Sequence, residues 1–170
     1  MNMSRSMKEL LDYHSIADLE KASHIPPRAR RYRIWKKYNA ADAQPYWGVL
    51  DFCGMSTDGV SADRHLGWLE WDGNEIYLSV SSADKVPTLL KRAAGIMKYW
   101  KKQLERDYPE MPFIIFASFG DNLEYIEDDE EESYYVNMRF FALRDGDRLL
   151  DFDGMENNAQ PVMWYRCNFG

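Results

Sequence analysis

Between Ser82 and Tyr108 the apolar residues Val86, Leu89, Leu90, Ala93, Met97, Trp100 and Leu104 recur three or four positions apart. That spacing places them on one stripe of a helix and predicts a single long helix over residues 84–107. Ser82 or Asp84 is the expected cap, and Pro87 falls in the first turn, where a missing N–H costs little. Tyr108-Pro109 ends the helix, and Lys91, Lys98, Lys101, Lys102 and Arg106 fall mostly off the stripe. A helix with one long apolar stripe has to lay it on an equally long apolar surface, and the strand-like segments around it can supply one as a sheet.

The strands that could build that sheet are legible on both sides of the helix. Phe113, Ile114, Ile115, Phe116 and Ala117 form a continuous apolar run, the pattern of a strand covered on both faces. Residues 133–144 alternate, with Tyr134, Val136, Met138, Phe140 and Ala142 on one face and Asn137 and Arg139 on the other. Residues 161–167 read as a last strand, and Asp145-Gly146-Asp147 as a turn into a short strand over 148–152. Upstream, residues 46–53 read as a strand ended by Gly54. Residues 65–71 and 75–80 read as a hairpin closed by Asp72-Gly73-Asn74. On that reading Trp68 and Trp71 point to opposite faces, and the tryptophans are mostly core.

The first 25 residues carry two short helical pieces. Ser4 or Ser6 caps one bearing Met7, Leu10 and Leu11, and Ser15 caps another bearing Ile16 and Leu19. Pro26-Pro27 stops this run. Residues 28–39 then fit a helical stripe through Ile34, Trp35, Tyr38 and Ala41, although Tyr32 and Ile34 alternating with arginines also suit an edge strand. The expected fold is α+β: a mostly antiparallel sheet, with room for a mixed pairing, of about six or seven strands packed on one long helix plus short N-terminal helices. The 170 residues suit a single domain, with 1–25 a peripheral helical arm and 119–132 a mobile acidic loop.

Charge is concentrated rather than spread. Glu127, Asp128, Asp129, Glu130, Glu131 and Glu132 supply six of the negative charges, and setting them aside turns a net −7 into −1. Six adjacent carboxylates cannot be buried, because desolvating one unpaired charge already costs several kcal/mol. They form either a solubilising loop or a docking surface for a basic protein. A calcium loop needs spaced ligands around a glycine, and this run has neither. The opposite charge gathers in Arg28, Arg30, Arg31, Arg33, Lys36 and Lys37, interleaved with Tyr32, Trp35 and Tyr38. Arginines beside aromatics suit nucleic acid, but a pI near 5.0 disfavours that partner.

Chemical signatures are sparse. His14, His24 and His65 lack the spacing of a zinc site, and Asp145, Asp147, Asp151, Asp153 and Glu156 do not match a calcium loop. Phosphate-binding glycine loops and nucleophile elbows are missing, so neither a metal nor a cofactor is expected. Cys53 and His65 could meet across adjacent strands as a thiol and its base, with the Asp151 and Asp153 pair nearby. The two cysteines, the polar N-terminal stretch and the lack of a long apolar run make the cytoplasm the expected compartment and exclude a helical membrane span. The leading expectation is a non-catalytic protein-binding domain of the inhibitor, immunity or anti-defence type that occupies a basic partner surface. The alternative is a small enzyme or ligand-binding domain with a pocket near Cys53 and His65. A third, weaker reading is nucleic-acid binding through residues 28–37.

Overall fold

The computed structural model describes residues 1–38, 43–49, 66–123, 131–144 and 154–169, the side chains at 68, 69 and 72 excepted. The predicted long helix is α4, Val86–Asp107, preceded by a 3-10 turn at Ala83–Lys85. Its stripe is buried from end to end, with Val86, Leu89, Leu90, Ala93, Ile96, Met97, Trp100 and Leu104 at most 1 % exposed. Neither Ser82 nor Asp84 caps it through a side chain; the Lys85 N–H donates to the Ser82 carbonyl instead.

The surface under α4 is a five-stranded sheet in the order β1 (Asn2–Met3), β7 (Val162–Cys167), β5 (Phe113–Asp121), β6 (Tyr134–Ala142), β4 (Ile76–Val80). Each pairing is antiparallel. The register sets Phe113 opposite Ala142 on one side and opposite Cys167 on the other. Side chains alternate between faces, so Phe113, Ile115, Ala117, Val136, Met138, Phe140, Met163 and Tyr165 all turn to α4 in one core. The opposite face is also closed in part, where Phe116, Val162 and Trp164 pack with Met155, and Trp71 lies against Phe116 and Phe141. The central strand β5 is therefore covered on both sides, as its apolar run requires.

A second sheet, of two strands, pairs β2 (Ile34–Tyr38) with β3 (Pro45–Val49). The helix expected over residues 28–39 is thus replaced by a 3-10 turn at Pro27–Tyr32 followed by a strand. Arg33 takes extended backbone, and the side-chain amide of Gln103 on α4 then serves Ile34 as a strand neighbour would. The Ile34 N–H donates to Gln103 Oε1 (3.0 Å), and Gln103 Nε2 donates to the Ile34 carbonyl (2.7 Å). Trp100 Nε1 adds a bond to the Tyr32 carbonyl at 2.7 Å. These contacts fix the two-stranded ribbon to the C-terminal half of α4.

The expected hairpin over residues 65–80 is also corrected. Leu66–Gly73 is a helix, α3, and β4 pairs with β6 instead of with a preceding strand. The segment is apolar on nearly every side, so no period separates helix from strand. Gly73 ends the helix, where the Asn74 N–H donates to the Glu70 carbonyl. The expectation that Trp68 and Trp71 lie on opposite strand faces falls with the strand. The turn at 145–147 and the strand over 148–152 lie outside the described residues.

Helix α1 (Arg5–Tyr13) is capped by Ser4, whose Oγ accepts from the Met7 N–H at 3.2 Å. Helix α2 (Leu19–Ala22) is capped by Asp18 rather than Ser15. Met7, Leu11, Ile16 and Leu19 all enter the main core. Gly95 is what lets α4 cross this region closely, since a Cβ there would sit 2.1 Å from the His24 carbonyl oxygen. Beside it Lys98 Nζ donates to the carbonyls of Glu20 (2.7 Å) and Ser23 (3.1 Å).

Candidate functional site

The acidic run enters β6 at a defined point. Strand β5 continues through Asp121, so residues 119–121 belong to the sheet and the connection to β6 begins at Asn122. The Asn122 N–H donates to the Ser133 carbonyl (3.1 Å), and its Nδ2 donates to the Glu131 carbonyl (3.2 Å). In return Asn122 Oδ1 accepts from the Ser133 N–H at 2.6 Å. One side chain thus ties both ends of the connection together. Of the six acids, Glu131 and Glu132 are described and exposed; Glu127, Asp128, Asp129 and Glu130 lie outside the described residues.

Past Val80 and Tyr134, the last residues that pair, β4 and β6 diverge and leave an open cleft of about 530 Å³. Ser79, Val80, Ser81 and Lys85 form one wall, Glu131, Glu132 and Ser133 the other. Next to it in β6, Tyr134 donates through its hydroxyl to Glu132 Oε2 at 3.2 Å. Desolvation, and next that bond to an anion, push the Tyr134 phenol above its ordinary range, so it remains a donor. The cleft therefore offers carboxylates and hydroxyls facing a single ammonium. That arrangement suits the binding of charged groups.

The basic residues follow α4 from its middle, where Pro26 meets Gly95, to its C-terminal half, where Tyr32 and Ile34 meet Trp100 and Gln103. Arg28, Arg30, Arg31, Arg33 and Lys36 are exposed and Lys37 is half-buried. The Arg33 guanidinium lies 4.4 Å from the centre of the Trp35 ring, and Lys36 Nζ lies 5.3 Å from that of Tyr38. Both rings are accessible, Trp35 at 38 % and Tyr38 at 60 %.

Cys53, His65, Asp151 and Asp153, the residues of the alternative pocket, lie outside the described residues. Cys167 is described and is buried at the end of β7. Desolvation, and next the Glu105 carboxylate, push its thiol up to about 12, which keeps it protonated. Among the described residues there is no cluster of three His, Cys, Asp or Glu side chains placed to hold a metal, and no helix long and apolar enough to cross a membrane.

One polar constellation is not among the sites expected from the sequence. Glu70 and Asn74, four residues apart at the end of α3, are each about 1 % exposed. Glu70 Oε1 accepts from the Trp47 N–H (3.0 Å) and Arg144 Nη2 (2.7 Å), and its Oε2 from the Ala142 N–H (2.7 Å) and Arg144 Nη1 (3.1 Å). Asn74 Nδ2 donates to the carbonyls of Trp47 (2.8 Å) and Phe140 (3.2 Å), while Oδ1 accepts from the Val49 N–H (3.2 Å). Residues 140–142 of β6 extend beyond the reach of β4, and these two side chains satisfy their edge and that of β3 together. Burial pushes the Glu70 carboxyl upward, against the pull of Arg144 and two backbone N–H groups. All its acceptor positions are filled, which marks it as a structural clip. The one signal for it in the sequence is Glu70 set between Leu69 and Trp71 in a largely apolar run.

Comparison with known protein families, with curated proteins and with solved structures finds no match.

Proposed function

We propose that the chain is a non-catalytic protein-binding domain, of the inhibitor, immunity or anti-defence kind, that occupies a basic surface of its partner with the carboxylates of residues 127–132. The observation that carries this reading is the cleft beside β4, where Glu131 and Glu132 stand exposed on a wall whose base is fixed by Asn122. A rigid base matters because binding through a tethered charge cluster loses less conformational entropy than binding through a free one. A Lys or Arg side chain of the partner enters between the two walls and meets carboxylates and hydroxyls. Lys85 on the facing wall takes a neighbouring acid. The rest of the run adds steering, which raises encounter rates by roughly 10–10³-fold and weakens with salt.

The test is affinity capture from the native host with three forms of the protein: wild type, all six acids replaced by Ser or Gln, and Glu131→Gln with Glu132→Gln alone. The reading expects a partner that is retained by wild type, lost by the six-residue variant and weakened by the pair. Equal recovery of the same partner by all three forms would remove it.

A further inference from the structure

The ribbon formed by β2 and β3 is left unused by the acidic cleft, and its chemistry differs from that of the rest of the molecule. From His24 to Tyr38 the chain contains no carboxylate, while it contains Arg28, Arg30, Arg31, Arg33, Lys36 and Lys37. We propose that this ribbon is a second binding site and that it takes single-stranded nucleic acid.

Three features carry the proposal. First, the exposed cations come with exposed rings. Trp47, Trp100 and Trp164 are buried, whereas Trp35 and Tyr38 remain open to solvent on the same short strand that carries the charge. A nucleotide asks for such a pairing, since a base stacks on a ring and its phosphate is neutralised beside it. An acidic protein surface would use the cations but has no need of the ring faces. Second, residues two apart on a strand share a face. Arg33 therefore sits with Trp35 and Lys36 with Tyr38, so each face of β2 offers a ring with a cation already against it. Third, the surface is rigid: Gln103 and Trp100 bond to the backbone of Ile34 and Tyr32. Asp107 is a carboxylate that reaches toward Arg33, and Arg106 already engages both its oxygens, at 2.6 and 2.8 Å.

The acidic pI argues against this partner only if the acids and the ribbon share one field. Lys85 of the cleft and Trp100 and Gln103 under the ribbon are separated along α4, by about 22–27 Å at 1.5 Å per residue. The screening length at physiological ionic strength is about 8 Å. The Glu131 end is therefore about three screening lengths from β2, and the local charge of the ribbon decides there.

The experiment is fluorescence anisotropy of a labelled oligonucleotide of about 12 nucleotides, single-stranded and as a duplex, titrated with the full chain between about 50 and 200 mM salt. Wild type is expected to bind the single strand more tightly than the duplex. Trp35→Ala should weaken single-strand binding by roughly 5- to 150-fold, the loss of stacking on one ring. Arg28→Gln, Arg30→Gln and Arg31→Gln together should lower the salt slope by about 2, at about 0.7 for each phosphate no longer neutralised. All three arginines and Trp35 are exposed, and far-UV circular dichroism confirms that each variant is folded before its binding is read. The variant with all six acids neutralised should bind as wild type does, which separates this site from the acidic cleft. Absence of binding at low salt, preference for the duplex, or indifference to Trp35 would overturn the proposal. So would salt-sensitive self-association through the ribbon without oligonucleotide binding.

Discussion

Replacing Glu70 by Gln tests the clip that joins the two sheets. The side chain is fully buried and accepts four hydrogen bonds, two of them from Arg144, which is itself only 19 % exposed. Glutamine keeps the volume but offers one oxygen. Its NH₂ must face a donor, the N–H of either Trp47 or Ala142, and the Arg144 guanidinium loses the Glu70 charge. Breaking one partner of a buried ion pair costs about 3–5 kcal/mol. For a chain of this length that lowers Tm by roughly 6–20 °C. Urea unfolding followed by tryptophan fluorescence should show a lower midpoint at unchanged slope. Native-state hydrogen exchange should show the Trp47 and Ala142 amides deprotected. Because the guanidinium keeps its bonds to the Ala142 and Pro45 carbonyls but loses the Glu70 charge, Arg144→Met in the Glu70→Gln background should recover part of the loss, a coupling of about 1–3 kcal/mol. A loss under about 1 kcal/mol, or additive single variants, would refute the reasoning, since it would place the Glu70–Arg144 bonds among those that solvent replaces at no cost.

Gln103→Ala removes both partners of the Ile34 backbone and should cost about 2–4 kcal/mol, with loosening confined to the ribbon in hydrogen exchange. Gly95→Ala puts a methyl 2.1 Å from a carbonyl oxygen, so it should destabilise the fold although alanine is the better helix former; a neutral or stabilising result by thermal melting contradicts the close crossing. The Cys167 thiol, raised to about 12, stays protonated at about pH 8 and should resist alkylation in the native protein but react in denaturant, as read by peptide mass spectrometry. A group whose folded value is raised contributes fully below its unfolded value, about 8.5 for a thiol, and loses that contribution as the pH climbs toward the folded one. Cys167 should therefore add nothing to the pH dependence of stability between about pH 5 and pH 8, and destabilise the fold above that window.

What the sequence discloses follows from how each segment is read by its neighbours. The stripe from Val86 to Leu104 and the alternation from Tyr134 to Ala142 are periodic over many residues, and both form as that period dictates. The run from Phe113 to Ala117 is apolar throughout because β5 is covered on both faces. The two misread segments are ones where tertiary partners decide. Residues 66–73 are apolar on nearly all sides, and their helical state shows only in what Glu70 and Asn74 reach across space. Residues 34–38 become a strand because they pair with residues 45–49, and Gln103, some 69 positions from Ile34, fixes the first of them to α4. The site residues are legible as charge and illegible as place. The sequence shows a run of six acids and a cluster of six bases, but only the packing on α4 shows that Glu131 and Arg33 sit toward opposite ends of one helix.

The most direct measurement of the central claim is the association rate of the captured partner, by stopped flow or surface binding, as a function of salt. For the wild type the rate should fall steeply as salt rises. Replacing all six acids of residues 127–132 by Ser or Gln should lower it by roughly 10-fold or more at low salt and flatten its salt dependence, with a smaller change in dissociation. An association rate and a salt slope that both survive the replacement would contradict the acidic edge as the docking surface.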